Sequence, residues 1–190
     1  MKIFVFAILF VLLTSLVFIF VLLKIIKALY KLAYYDFLTG VYNRRYLSGY
    51  MQRLAEKREA VCCVMLDMDN FKKINDTLGH SIGDKVIKEI AAILQKAIVS
   101  SNMRGFVARY GGDEFYMVLH TKNKFLVKPV INKIKLAFEQ FYFFASMPHK
   151  ISCSVGYDIY DPAKWSSFDM FERHIDKLMY KHKGTKLFMP

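Results

Sequence analysis

The chain opens on an unbroken apolar run and then settles into short patterned segments. Ile3 to Leu23 carries no charge, and its only polar side chains are Thr14 and Ser15. At about 1.5 Å per residue, a helix over this run covers roughly 30 Å, the thickness of a bilayer core. A secretory signal peptide has a shorter apolar core, about 7–15 residues, before a small-residue cleavage site. Here the run passes into "KIIKALYKLAYY", which offers no such site. The pattern therefore predicts a membrane anchor over residues 1–23. Ile25, Leu29 and Leu32 continue an apolar helical spacing and predict a helical stem over residues 24–35, suited to pairing with a second copy.

Beyond Gly40 the period changes repeatedly. "NRRYLSGYMQRLAEKRE" reads as an amphipathic helix with Asn43 as its N-cap. "AVCCVMLDMD" is a continuous apolar run ending in acid, as expected of a central strand. "DKVIKEIAAILQKAIV" repeats its apolar positions every three to four residues, which predicts a helix. "FVARYGGDEFYMVLH" reads as two strands joined by a tight Gly-Gly-Asp-Glu turn. A helix follows over "FLVKPVINKIKLAFEQFYF", with Pro129 expected near its first turn. "HKISCSVGYDIYD" alternates as a strand, and "SSFDMFERHIDKLMYKHKG" predicts a last helix from a serine cap to Gly184. Helix, strand, helix, hairpin, helix, strand, helix is the order of an α+β domain. The expectation is one domain over residues 36–190, its mainly antiparallel sheet flanked by helices.

Composition adds orientation and compartment. The chain is 55% hydrophobic yet has a net charge of +12. Lys2 alone precedes the apolar run, whereas Lys24, Lys27 and Lys31 follow it. The positive-inside rule then places the C-terminal domain in the cytoplasm. Cys62 and Cys63 are adjacent in one apolar run and Cys153 lies in another, which suits reduced core thiols rather than a disulfide framework. No paired C-x-x-C spacing points to a thiolate metal site. The remaining positive charge has no aromatic-basic motif of a nucleic-acid module beside it, so no nucleic-acid partner is expected.

The chemistry lies in the acids. Asp67 and Asp69 end the apolar strand, and Asp113 and Glu114 occupy the hairpin turn. In a β-α-β-β unit with the hairpin beside the first strand, the two acidic sites face each other at one sheet end. Two readings compete: ordinary turn acids, or carboxylates sharing a divalent cation that removes their repulsion. Oxygen ligands without His or Cys favour magnesium. Lys72, just past the strand end, suits a phosphate as a point charge. Asn75 and Asp84, a short amide and a short acid, suit a guanine edge, and Gly79 and Gly83 allow the tight backbone that brings them together.

Taken together, "DFLTGVYNRR", "LDMDNFKKINDTLGHSIGD", "RYGGDEF", "ISCSVGY" and "IDKLMYKHK" resemble the GGDEF family, the bacterial diguanylate cyclases, over roughly residues 34 to 188. The resemblance implies a palm-like nucleotidyl cyclase fold, related to polymerase palms and adenylate cyclases, and the condensation of two GTP into cyclic di-GMP with release of two pyrophosphates. It implies Mg2+ on Asp67 and Asp113, with the Met68 carbonyl as a further contact and Glu114 as either a metal contact or a structural partner. Asp113 would help deprotonate the attacking 3′-hydroxyl, and Lys72 would stabilise phosphate charge. GTP contacts would fall on Phe71, Asn75, His80 and Asp84, while Gly111 and Gly112 let backbone approach the nucleotide. Asp84 also speaks for guanine over adenine. Two such domains meet around a two-fold axis, each holding one GTP, so a homodimer at the bacterial inner membrane is expected.

Two positions depart from the family pattern. The inhibitory product site R-x-x-D is replaced by "NMRG", Asn102 to Gly105. The basic tail is shortened: Lys183 matches its first basic position, and Lys186 fills the second only across a gap. The intact acids favour an active membrane-anchored cyclase; the shortened tail favours a catalytically silent GTP-binding module.

Overall fold

The structure is a computed structural model that describes residues 1–144 and 151–186. Its elements in chain order are α1 (Lys2–Tyr34), β1 (Tyr42–Asn43), α2 (Arg44–Lys57), β2 (Val61–Asp69), α3 (Phe71–Leu78), α4 (His80–Ser100), β3 (Gly105–Arg109), β4 (Glu114–Leu119), α5 (Lys124–Phe144), β5 (Ser152–Tyr160) and α6 (Phe168–Lys186). The expected α+β order holds, with α3 and the two-residue β1 added to it. The sheet runs β1-β3-β4-β2-β5. Its β2–β4, β3–β4 and β2–β5 pairs are antiparallel, and the short β1 joins β3 in parallel.

Strand β2 has partners on both edges and is buried on both faces, which is why its sequence is a continuous apolar run rather than an alternation. Successive side chains still divide between two cores. Val64, Leu66 and Met68 pack with Ile87, Ile90 and Leu94 of α4 and with Val130, Ile134 and Phe138 of α5. Cys63 and Met65 pack on the opposite face with Leu47 and Met51 of α2 and with Phe171 and Ile175 of α6. All three cysteines are buried and outside any disulfide. Burial pushes the Cys62 thiol up to about 12, so these thiols serve as core side chains.

The segments expected as anchor and stem form one uninterrupted helix through Tyr34. It is long and apolar enough to cross a membrane, and none of its apolar window is buried against the rest of the chain. Asn43 caps α2 as expected, its Oδ1 accepting from the Tyr46 N–H at 3.0 Å. The same amide donates from Nδ2 to the Ala33 carbonyl at 2.9 Å, tying the end of α1 to the start of α2. Tyr46 stacks on Tyr42 at 3.6 Å and meets Tyr34 edge-on at 6.0 Å.

One helix boundary differs from expectation. Helix α5 starts one residue before the expected Phe125, and Pro129 sits inside it just past the first turn. Helix α6 begins as expected at Ser167, whose hydroxyl accepts from the Met170 N–H at 3.2 Å, but it runs through Gly184 to Lys186. Glycine therefore lowers helix propensity at this position without ending the helix. His149 and Lys150, expected to lead into the last strand, lie outside the described residues.

The polar stretch within β5 has a structural reason. β5 is an edge strand, where a charged group discourages pairing with another sheet. Its Asp158 accepts from His174 of α6 at 2.9 Å and forms an ion pair with Lys124 of α5. Burial opposes ionisation of this carboxyl, but the hydrogen bonds from Lys124 and His174 outweigh it and hold the pKa below its ordinary value. The resulting stabilisation is present above the ordinary carboxyl value of about 4 and is lost as pH falls through the depressed folded-state value. Asp158→Asn should lower stability by about 1 kcal/mol at pH 7, and the difference should fade in denaturant melts as pH falls through the depressed carboxyl value.

Candidate active site

The acidic end of the sheet is set by the β2–β4 register. Asp67 stands directly opposite Glu114, and the Met68 N–H donates to the Asp113 carbonyl at 3.3 Å. The turn is closed by the Tyr110 N–H, which donates to the Glu114 carbonyl at 2.8 Å. Asp67, Asp113 and Glu114 are half-buried at this end, and Gly112 is exposed. Met68 buries its side chain in the α4–α5 core, leaving its backbone as the part available to the site.

The four acids are not equivalent. Asp69 is buried and accepts from the Ser152 hydroxyl at 2.5 Å and the Ser154 hydroxyl at 2.6 Å, which makes it a tie between β2 and β5. The Glu114 side chain folds back over the turn, so a Cβ at Gly111 would overlap its Oε2. A side chain at Gly111 would therefore displace the Glu114 carboxylate from the turn. Burial, and then the charges of Asp67, Asp113 and Asp176, push the Glu114 carboxyl up, while Arg44 pulls it the other way.

Helix α3 grows directly from the end of β2 through Asn70, in the left-handed region at φ 59°. This placement sets Lys72 in the first turn of α3, where it is exposed. Gly79, at φ 83°, separates α3 from α4. The two helices then pack so closely that a Cβ at Gly83 would overlap Asn75 Oδ1 and lie 3.2 Å from Phe71 Cζ. The structure therefore brings Phe71, Asn75 and the Gly83–Asp84 segment together. Asp84 and His80 are exposed in the first turns of α4. The Lys183 side chain lies outside what the structure describes, although its backbone belongs to α6.

Sequence patterns did not reveal what holds the turn from outside. Arg109 donates from Nε and Nη2 to the Gly112 carbonyl, at 3.1 and 2.7 Å. Its Nη1 reaches Asp36 at 3.1 Å. Asp36 in turn accepts from the Thr39 N–H at 2.9 Å and the Thr39 hydroxyl at 2.6 Å. Burial alone would raise the Asp36 carboxyl, but the Thr39 hydrogen bonds and the Arg109 guanidinium hold it below its ordinary value. The local half of this arrangement was visible as Asp-x-x-Thr before a glycine, a side-chain-closed turn; the Arg109 half spans the chain.

Among the described residues, no three His, Cys, Asp or Glu side chains converge to hold a metal by side chains alone. The expected set is Asp67, Asp113 and the Met68 carbonyl, with Glu114 as either a further metal contact or a structural partner. Hard oxygen donors without nitrogen or sulfur match the donor chemistry of magnesium, which takes one or two carboxylates and completes its shell with phosphate oxygens and water.

Comparison with known proteins gives consistent findings. A family model described as "Diguanylate cyclase, GGDEF domain" matches residues 33–187. The response regulator PleD of Caulobacter vibrioides is 42% identical over 95 residues, 47% of this chain and 20% of PleD. The diguanylate cyclase DgcP of Pseudomonas aeruginosa is 33% identical over 153 residues, 78% of this chain and 22% of DgcP. The chain thus spans about a fifth of the length of these relatives. The crystal structure of the coiled coil and GGDEF domain of DgcB from Caulobacter crescentus, in complex with c-di-GMP, matches with a TM-score of 0.78. At 24% identity, covering 92% of this chain and 93% of that one, it is a likeness of fold.

The Asp36–Arg109 link makes a quantitative demand. Each side chain is 15% exposed, so their interaction is screened less than that of a surface pair. A double-mutant cycle of Asp36→Ala and Arg109→Ala should give a coupling of about 1–2 kcal/mol in unfolding free energy; simple additivity would show that the link contributes nothing.

Proposed function

The chain belongs to the diguanylate cyclase, GGDEF-domain family, and on that premise we propose that it condenses two GTP into cyclic di-GMP with release of two pyrophosphates. The observation that carries this reading is the β2–β4 register, which gathers Asp67, Asp113 and the Met68 backbone at one sheet end. Asp67, Asp113 and the Met68 carbonyl would hold Mg2+, which when bound offsets phosphate charge. Glu114, folded over Gly111, acts as a structural partner of the turn.

In each half-reaction the 3′-hydroxyl of one GTP attacks the α-phosphorus of the other. A new P–O bond forms, the bond to pyrophosphate breaks, and Asp113 assists removal of the hydroxyl proton. Lys72 meets the phosphates, and Asn75 with Asp84 reads the guanine edge, set beside each other by the close α3–α4 packing at Gly83. Phe71 and His80 border the nucleotide, and Gly111 and Gly112 leave room for it. Lys183 completes the phosphate contacts from α6. Two protomers supply one GTP each, and their juxtaposition replaces a bimolecular encounter by a positioned one.

Residues 1–23 anchor the protein in the bacterial inner membrane, residues 24–35 form the stem, and residues 36–190 form the catalytic domain on the cytoplasmic side. The support is the length and apolar character of α1 and the lysines Lys24, Lys27 and Lys31 behind it. Anchoring confines the protomers to a surface and raises their effective concentration.

A direct test incubates the full chain in detergent micelles with GTP and Mg2+ and resolves the products by chromatography. Cyclic di-GMP should accumulate, and Asp113→Ala should reduce it by at least about a hundredfold while leaving thermal melting nearly unchanged. GTP binding without any product would instead identify a silent nucleotide-binding module.

A further inference from the structure

Behind the turn, on the α2–α6 face, the core contains polar groups that the proposed chemistry does not use. The Tyr116 hydroxyl and Glu172 Oε1 are both buried without a hydrogen-bond partner. Tyr116 is 0% exposed, and its ring lies 5.3 Å from that of Tyr110. A buried polar atom left unpaired costs about 1–3 kcal/mol, and an apolar side chain of similar volume would avoid the cost. Glu172 as a whole is half-buried in α6, and its buried Oε1 calls for a reason.

The geometry around Tyr110 supplies a reason. Tyr110 immediately precedes Gly111, and its N–H closes the turn on the Glu114 carbonyl at 2.8 Å. From α2, the Arg44 guanidinium sits 4.3 Å over the Tyr110 ring, a cation–π contact. From α6, the Glu172 carboxylate engages the Tyr110 hydroxyl, as does Arg44. The ring is thus gripped between two helices, while Arg109 holds the other side of the turn at Gly112.

We propose that Arg44 and Glu172 are positioning residues for the Gly111–Glu114 turn, acting through Tyr110. The proposal rests on the turn being part of a cyclase site, and it deepens that reading by naming what sets the turn's position. Arg44 fixes the plane of the ring, and Glu172 fixes its hydroxyl. With both in place Tyr110 has one orientation, and the backbone that leads into Asp113 inherits it. Misplacement of the reacting groups by even about 1 Å carries large rate penalties, so a small loss of order at Tyr110 is felt in turnover before it is felt in stability.

The experiment compares wild type, Glu172→Leu and Glu172→Gln as full chains in micelles, by amide hydrogen exchange of residues 110–114, thermal melting and steady-state kinetics with GTP. Glu172→Leu should hold or raise the melting temperature, because it removes a buried unpaired oxygen. It should nonetheless speed exchange in the turn about tenfold and lower kcat about tenfold, with KM for GTP within about twofold. Glu172→Gln, which keeps an acceptor for the Tyr110 hydroxyl, should restore both exchange and kcat to within about threefold of wild type. Unchanged exchange and kcat in Glu172→Leu would overturn the proposal. Should Glu172→Leu fail to fold, Arg44→Gln at its exposed position is read the same way, and unchanged turn exchange there overturns it. If wild type makes no cyclic dinucleotide, the cyclase reading falls alone, and the exchange measurements still decide the positioning role.

Discussion

The pairing of β2 with β4 is the constraint from which the candidate site follows. With Asp67 opposite Glu114, the last turn of the hairpin lies against the last residues of the central strand. A slip of one residue would turn Asp67 into the α4–α5 core and carry Leu66 to the opposite face. The buried alternation along β2 forbids that slip, because Val64 and Leu66 belong to one core and Cys63 and Met65 to the other. The same hydrophobic division that stabilises the fold therefore sets which acids meet. Burial, and then the charges that meet there, raise the Glu114 carboxyl, and a bound cation would remove the repulsion between those charges.

The turn is held from several directions, each by a different kind of interaction. Arg109 links Gly112 to Asp36 through charge-assisted hydrogen bonds. Asp36 lies directly beyond the end of α1, and Asn43 fastens that same helix end to α2. Tyr110 is gripped by aromatic and polar contacts from α2 and α6. The long apolar helix α1 and the acidic sheet end are consequently separated by only a few side-chain contacts. A turn rich in glycine would otherwise have wide conformational freedom; here long side chains from neighbouring elements restrict it.

Local pattern revealed much of this architecture. The continuous apolar run of β2, the hairpin turn and the periodicity of α4 all follow from side-chain spacing, and Asn43 signalled its cap before Arg44. The short helix α3 escaped because one turn of apolar spacing, Phe71 to Ile74, is too brief to stand out. β1 escaped because two residues carry no alternation to read. The boundary at Gly184 moved because tertiary packing overrides propensity. Long-range partners were illegible in principle. Nothing near Arg109 announces Asp36, and nothing near Asp69 announces Ser152 and Ser154, since these pairs exist only once the sheet has formed. The acids themselves were visible, but their division of labour was not: Asp69 ties strands together and Glu114 covers Gly111, while Asp67 and Asp113 are the pair proposed for a cation.

That division of labour is open to direct measurement by electron paramagnetic resonance, with Mn2+ standing in for Mg2+ and GTP present on the full chain in micelles. The account predicts that Asp67→Asn and Asp113→Asn each weaken Mn2+ binding by more than about tenfold, whereas Asp69→Asn, which alters a strand tie, weakens it far less. Equal Mn2+ affinity in wild type, Asp67→Asn and Asp113→Asn would contradict the assignment of these two carboxylates as the shared cation site.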